Sequence, residues 1–309
     1  MSDTETITVP EHPGFLTPRV LLPFMTVSLI WGSTWFVIRD QLSVVPGPWS
    51  VCYRFAVAAI GMFLLAMIMR QSLRLERKGL LWALLLGLMQ FSLNFNFVYA
   101  AEHHITSGLV AVLFALLIIP NALIAQLWLG IRSNSGFWIG SFIATVGVAL
   151  LILREYRIAP VGGHEVLIGA ALTITAVMCA SVSNVIQANE SMKRHPMLPL
   201  LAWSMLFGTL LDAVFAWSQY GPPIVEARAA YLGGILYLGI VGTVLTFPLY
   251  FRLIRDIGPG KAAYTSVLIP IVAMLISTLF EGYHWSGLSI AGAILAIAGL
   301  AIAMRARAS

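Results

Sequence analysis

Residues Arg252 to Trp285 read RLIRDIGPGKAAYTSVLIPIVAMLISTLFEGYHW. A basic cluster of Arg252, Arg255 and Lys261 surrounds a Gly258-Pro259-Gly260 turn, an uncharged run follows from Ala262 to Phe280, and Glu281 closes it. A charge-free run of this length crosses a bilayer as a helix, which needs about 20 apolar residues. Pro270 breaks the run in its middle. Its missing N–H is expected to free the carbonyl of Ser266, four residues back. In lipid a freed carbonyl has to be satisfied by protein or by water in a cavity.

The same arrangement occurs earlier in the chain. His104-Ile105-Thr106-Ser107-Gly108 opens an uncharged run, Pro120 breaks it, and Arg132-Ser133-Asn134-Ser135 forms the polar turn after it. Placing Pro120 on Pro270 aligns Gly108 with Gly258. Further on, Trp138 to Gly147 lies over Ile290 to Gly299 with a slip of two residues. This internal repeat spans about half the chain and sets the architecture before any single element does.

Composition places the chain in a membrane: 59% of the 309 residues are hydrophobic and only 10% are charged, a balance outside that of soluble domains. The net charge of +5 comes from short basic clusters between apolar runs. That pattern reports membrane orientation and argues against a nucleic-acid partner, which needs one continuous basic face. The two cysteines, Cys52 and Cys179, each sit inside an apolar run and suggest neither a disulfide nor a metal framework. No nucleotide-binding loop, zinc-protease motif or serine-hydrolase elbow is present. No catalytic residues, metal or cofactor are therefore expected, and the chain is not expected to be an enzyme.

Ten hydrophobic runs can be counted, about Val20–Ile38, Pro48–Met69, Leu80–Ala100, Ile105–Gly130, Gly136–Leu153, Val166–Asn189, Met197–Ser218, Ala230–Phe251, Ala262–Phe280 and Trp285–Met304. The polar, proline-punctuated start lacks the features of a secretory signal, so residues 1–19 are read as a cytoplasmic tail. With that tail inside, cytoplasmic connections hold Arg19, Arg70, Arg74, Arg77, Lys78, Arg132, Lys193, Arg194, Arg252, Arg255, Lys261, Arg305 and Arg307, and the opposite side holds Arg39, Arg154, Arg157 and Arg228. Thirteen against four fixes both termini inside the cell. Five helices per repeat is odd, so the second repeat enters from the opposite side. The expected fold is an all-α polytopic membrane protein, ten transmembrane helices as two inverted five-helix repeats. The repeats cover residues 20–153 and 166–304, with a periplasmic linker at 154–165 and a cytoplasmic tail at 305–309. Inverted repeats are a recurrent build for secondary transporters, with the substrate near the midplane.

These residues carry a family resemblance. Trp31-Gly32-Ser33, Arg54-Phe55, the mid-helix prolines Pro120 and Pro270, Phe280-Glu281-Gly282, and the Gly147 and Gly299 endings resemble the EamA branch of the drug/metabolite transporter superfamily from Val20 to Met304. Two positions depart from the pattern: Ile131 stands where the first repeat usually has a glutamate, and Asp212 is not part of it. The resemblance implies ten helices and export of a small metabolite, often an amino acid or related compound, across the inner membrane. It leaves the substrate open, and an importer or sugar-type carrier is a rival within the superfamily. A sensor or an integral enzyme is the rival outside it, although no signalling domain and no converging ionisable groups beyond Arg54 and Asp212 are visible.

Intramembrane polar side chains are the candidate site, since they are costly in lipid and face a cavity or a partner. Trp31, Thr34 and Trp35 share a helical face, either as an aromatic wall with a hydroxyl or as an interfacial aromatic belt. Gln90 and Asn94 lie one turn apart. Ser181 and Asn184 share a stripe with Gln187. These groups suit a zwitterionic solute and equally suit helix–helix hydrogen bonding. Asn121 sits beside the Pro120 break, whose freed carbonyl is that of Leu116, and Tyr264 and Ser266 precede the break at Pro270. Thr243, Phe247 and Tyr250 form a further stripe that also reads as core packing. Arg54 lies about 9 Å and Asp212 about 8 Å from the outer surface at 1.5 Å per residue. That similar depth suggests an ion pair, or a carboxylate-binding Arg54 with Asp212 taking a coupling proton. Separate snorkelling of both side chains is the competing reading. The expected partners are a small-molecule substrate and the lipid bilayer, with oligomeric state left open.

The loop charges yield a direct test of orientation. Reporter fusions after Arg74 and after Arg307 are both expected to report cytoplasm; a periplasmic signal at either one contradicts the inverted-repeat argument.

Overall fold

The computed structural model describes residues 17–130, 132–158, 163–250, 252–253 and 265–308. Among the described residues the chain is helical, with no strand. Eight helices are long and apolar enough to cross a membrane: α1 Pro18–Asp40, α2 Gly47–Ile68, α3 Arg77–Glu102, α4 Ser107–Leu129, α5 Ser135–Ile158, α6 Gly163–Gln187, α7 Met197–Tyr220 and α8 Ala229–Tyr250. Two further apolar helices follow, α9 Thr265–Phe280 and α10 Gly287–Ala308.

The outer surface of the bundle is apolar. Leu127, Phe142, Val214 and Leu279 are each more than 70% exposed, a belt that only a nonpolar solvent accommodates. Inside, α2 packs on α7, α3 on α6, and α9 on both α1 and α4. The main core gathers Phe55, Phe91, Leu109, Met205 and their neighbours.

The closest helix pair is α5 with α10, and glycine makes it possible. A Cβ on Gly140 would lie 2.3 Å from the Ala303 nitrogen, and one on Gly147 would lie 2.3 Å from the Ala296 nitrogen. The contacts are reciprocal. Gly140 meets the Gly299 carbonyl and Gly299 meets that of Gly140, while Gly147 and Gly292 meet each other's carbonyls in the same way. Small residues let membrane helices approach this closely, where dispersion contacts replace the missing hydrophobic drive.

The ends of the odd-numbered helices, with the described connections after them, meet at one end of the bundle. There Arg228 Nη1 holds Asp40 Oδ1 at 2.9 Å, Arg39 donates to the Ile105 carbonyl, His104 meets Glu165, and Arg154 donates to the His284 carbonyl. Its hydrogen bonds to the Asp40 and Glu226 carboxylates push the exposed Arg228 above its ordinary range, so it keeps its charge at any working pH. At the other end Trp203 Nε1 donates to the Leu73 carbonyl at 2.9 Å and Asn134 donates to that of Ala306.

The two prolines differ from their sequence expectation. Helix α4 is interrupted at Leu116 and Leu117, just before Pro120, so Pro120 sits in the first turn of the segment Ile118–Leu129. Yet the Leu116 carbonyl is not free, because the Ile119 N–H donates to it at 2.9 Å. A tightened three-residue turn satisfies what the proline would have orphaned. Helix α9 runs continuously through Pro270, so this proline does not break its helix. Ser266 is also engaged with a neighbour. The Gly258-Pro259-Gly260 turn and Ile131 lie outside the described residues.

Two irregularities were not legible in the sequence. Helix α3 widens into a π segment at Gly87–Leu93 and α8 into another at Tyr237–Leu245. The register that puts Pro120 on Pro270 puts Gly87 on Tyr237, so both segments begin at matching positions. In α8, Thr243 Oγ1 donates to the carbonyl five residues back, that of Leu238, at 2.8 Å, and Thr246 donates to that of Val241.

Gly299→Ala is expected to lower the melting temperature of the purified protein, since over-packing costs about 1–3 kcal/mol and the new methyl would lie 2.2 Å from the Ala144 backbone nitrogen. Gly233→Ala, inside α8 with nothing within 4 Å of an added Cβ, is expected to leave it unchanged or raise it, alanine being the better helix former. A thermal melt of both variants checks the pair; equal melting temperatures contradict the assignment.

Candidate functional site

Helix α1 places its aromatic residues toward two neighbours. Trp31 Nε1 donates to the Gly242 carbonyl in the α8 π segment at 3.1 Å, and its ring meets Phe247 and Tyr250 at centroid distances of 5.5 and 5.1 Å. Trp35 turns toward Phe114 of α4 at 4.9 Å, and its Nε1 is buried without a partner. Both rings pack within the bundle, which removes the interfacial-belt reading. The Thr34 hydroxyl donates to the Trp31 carbonyl at 2.8 Å, which leaves it only as an acceptor. The Thr243 hydroxyl donates to the Leu238 carbonyl in the same way.

On α3, Gln90 lies inside the π segment and Asn94 directly after it. Asn94 Nδ2 reaches the Gln90 carbonyl at 3.4 Å. Gln90 Oε1 and Asn94 Oδ1 are both buried with no partner. On α6, which packs against α3, the Ser181 hydroxyl is fully buried and also unpartnered. One turn on, Asn184 Nδ2 donates to Asn121 Oδ1 of α4 at 3.4 Å. The α4 and α6 candidates therefore meet through a hydrogen bond just after the α4 interruption. Buried polar atoms normally carry partners. Trp35, Gln90, Asn94 and Ser181 leave one donor, two acceptors and a hydroxyl unsatisfied on α1, α3 and α6. Tyr264 lies outside the described residues, and Ser266 is held in the first turn of α9.

Arg54 and Asp212 do not pair. Helices α2 and α7 do pack together, but Asp212 Oδ1 accepts from Asn96 Nδ2 of α3 at 2.8 Å, and Asn96 also donates to the Ser92 carbonyl. Arg54 turns the other way. Its guanidinium lies 4.2 Å from the Phe95 ring centroid and 5.1 Å from that of Phe55, a cation–π arrangement favoured where water is excluded. The polar groups acting on its charge are Tyr99 and Glu102 of α3. Equal depth along two helices does not fix rotation about either one, and rotation sends the two charges to different faces of α3.

Sequence reasoning missed the group around Arg54. The Tyr99 hydroxyl donates to Gln41 Oε1 at 2.6 Å, and Glu102 is fully buried. Glu102 lies just past the apolar run Leu80–Ala100. The helical spacing from Phe95 through Tyr99 to Glu102 was the available signal.

Three comparisons bear on this arrangement. The EamA-like transporter family matches residues 19–153 and again 167–305. The protein PagO of Salmonella typhimurium is 23% identical over 92% of both chains. An uncharacterized inner membrane transporter of Escherichia coli K12, YedA, is 27% identical over 85% of both. A probable amino-acid metabolite efflux pump of Salmonella typhimurium is 26% identical, over 53% of this chain and 56% of its own length. A solved crystal structure shares the fold, with a TM-score of 0.68 at 17% identity over 93% of this chain and 96% of the other.

The geometry replaces the expected ion pair with two independent sites. The double reversal Arg54→Asp with Asp212→Arg is expected to be no better folded than either single reversal, as judged by monodisperse yield in detergent. Recovery by the double variant would restore the ion pair and contradict the observed partners.

Proposed function

The chain belongs to the EamA-like transporter family, and on that premise we propose that it is an inner-membrane secondary transporter that exports a small metabolite by alternating access. The observation that carries this reading is the family match over both halves of the chain. The substrate class we favour is an amino acid or a related compound. The partial similarity to a probable amino-acid metabolite efflux pump supports that class and the outward direction. So does the mixed set of unpartnered donors and acceptors, which suits a zwitterion.

We further propose ten crossings as two inverted repeats, residues 20–153 and 166–304, joined by the linker 154–165, with the tails 1–19 and 305–309 in the cytoplasm. The reciprocal glycine contacts support this. Gly140 and Gly147 align with Gly292 and Gly299, and each meets the counterpart of the other. That exchange is the mark of a two-fold axis between equivalent elements. Because α5 and α10 run antiparallel, the axis lies across them, as inverted repeats require. The matched starts of the two π segments support it independently.

The substrate route proposed here is lined by Trp31, Trp35, Gln90, Asn94, Asn121, Ser181 and Asn184. The π segments and the α4 interruption supply the irregular backbone that membrane proteins tolerate only beside protein or a cavity. Irregularities of this kind recur at functional sites. Asp212, buried with Oδ2 unpartnered, remains the candidate for taking a coupling proton.

Flux into proteoliposomes across a panel of amino acids and related metabolites, with and without a pH gradient, tests the reading. At least one solute is expected to move, and Asn184→Ala is expected to raise its KM by about tenfold, the loss of one hydrogen bond worth about 1–1.5 kcal/mol. Folded protein that moves none of the panel contradicts the proposal.

A further inference from the structure

At the end where the odd connections meet, Glu102 closes α3 with its carboxylate fully buried. Neither Oε1 nor Oε2 has a hydrogen-bond partner. Other polar atoms at the same end are also buried and unpartnered: Gln41 Nε2, Arg54 Nε and Nη1, Ser107 Oγ and Glu281 Oε1. Gln41 is fully buried and Arg54 is 3% exposed. The charges that act on Glu102 come from three other helices: Glu281 at the end of α9, Arg39 at the end of α1 and Arg54 on α2. Its other neighbours are Tyr99, bound to Gln41, and His103, which burial together with Arg39 and His104 holds below the ordinary histidine range. His104 is engaged with Glu165 of α6.

An ionised carboxylate without a single donor is poorly accommodated in a dry site, whereas a neutral carboxyl group is tolerated there. A second carboxylate nearby adds to the cost of charge, and two guanidinium groups reduce it. Neither guanidinium forms an ion pair with Glu102 in this conformation. Glu102 belongs to the first half of the chain and Glu281 to the second, so separating the halves at this end would hydrate Glu102 and remove the like charge.

We propose that Glu102 is a proton-binding switch on the outer gate, with the closed gate holding Glu102 as the neutral acid and the open gate releasing its proton to the outer solution. The proton comes from and returns to water on that side, so the switch sets the fraction of open gates and is separate from any coupling at Asp212. Acidic medium outside closes the gate and alkaline medium opens it. The inference rests on the orientation and alternating access proposed above.

The test uses the full chain in right-side-out membrane vesicles, with Cys52→Ser and Cys179→Ser removing the native thiols. Ser107→Cys, at a position 1% exposed in the closed end, is labelled from outside with a membrane-impermeant maleimide across a range of pH. Its rate is divided by that of Val44→Cys, at a position 61% exposed in the α1–α2 connection, which cancels the titration of the thiol itself. The relative rate is expected to rise with pH by up to about tenfold per pH unit, the limit for one proton. Glu102→Gln, a permanent mimic of the neutral acid, is expected to hold it low and flat. A flat profile in the parent, or an unchanged profile in Glu102→Gln, overturns the switch. Should Glu102→Gln fail to fold, two neighbours keep the sign testable: Glu281→Gln is expected to move the midpoint to lower pH and Arg39→Gln to higher pH. Unmoved midpoints overturn the proposal. If Val44→Cys is labelled only from the cytoplasmic side, the orientation has failed instead, and inside-out vesicles then carry the same test.

Discussion

A bilayer core offers no hydrogen bonds, so each polar atom in it has to find a partner inside the protein. Most hydroxyls here do so within their own helix. Ser28, Thr173, Ser204 and Thr209 each donate to the carbonyl four residues back, and Thr243 reaches five back across a π turn. Against that background the unpartnered atoms are informative. Trp35, Gln90, Asn94 and Ser181 fall on α1, α3 and α6, and Glu102 and Arg54 fall toward one end of the bundle. In the reading proposed above, the first group lines the solute route and the second belongs to the outer gate.

The scaffold around these groups is built by close packing. The glycines of α5 and α10 bring two backbones into direct contact. That contact leaves the polar work to the other helices. The arginines at the stitched end, Arg39, Arg154 and Arg228, each bind a carbonyl of a different connection. Of these, the Arg228–Asp40 pair is exposed, and such surface pairs are individually worth about 0–1 kcal/mol.

The sequence carried the helices well because spanning runs are a matter of length and charge alone. The repeat was legible for the same reason: two prolines and four glycines recur in order. What it could not carry was anything that depends on rotation about a helix axis or on backbone relaxation. Arg54 and Asp212 share a depth, yet α3 stands between their charged groups and offers Asn96 to one and Tyr99 to the other. Pro120 and Pro270 look alike in sequence, yet α4 is interrupted while α9 continues. The π segments use residues that an ordinary α-helix uses equally well, so composition holds no trace of them. Asn121 and Asn184 were each visible as candidates, and only the packing of α4 on α6 joined them.

The central claim is that the two halves of the chain move against each other around this polar strip. Spin-label distances measure it directly. One pair, Val44 with Val225, spans the halves at the stitched end, and the other, Ser72 with Arg194, spans them at the opposite end; all four positions are exposed. On addition of a transported solute to the reconstituted protein, the account predicts two populations at each end, with one pair lengthening as the other shortens. A single unchanged distance at both ends, in protein that is transporting, would contradict it.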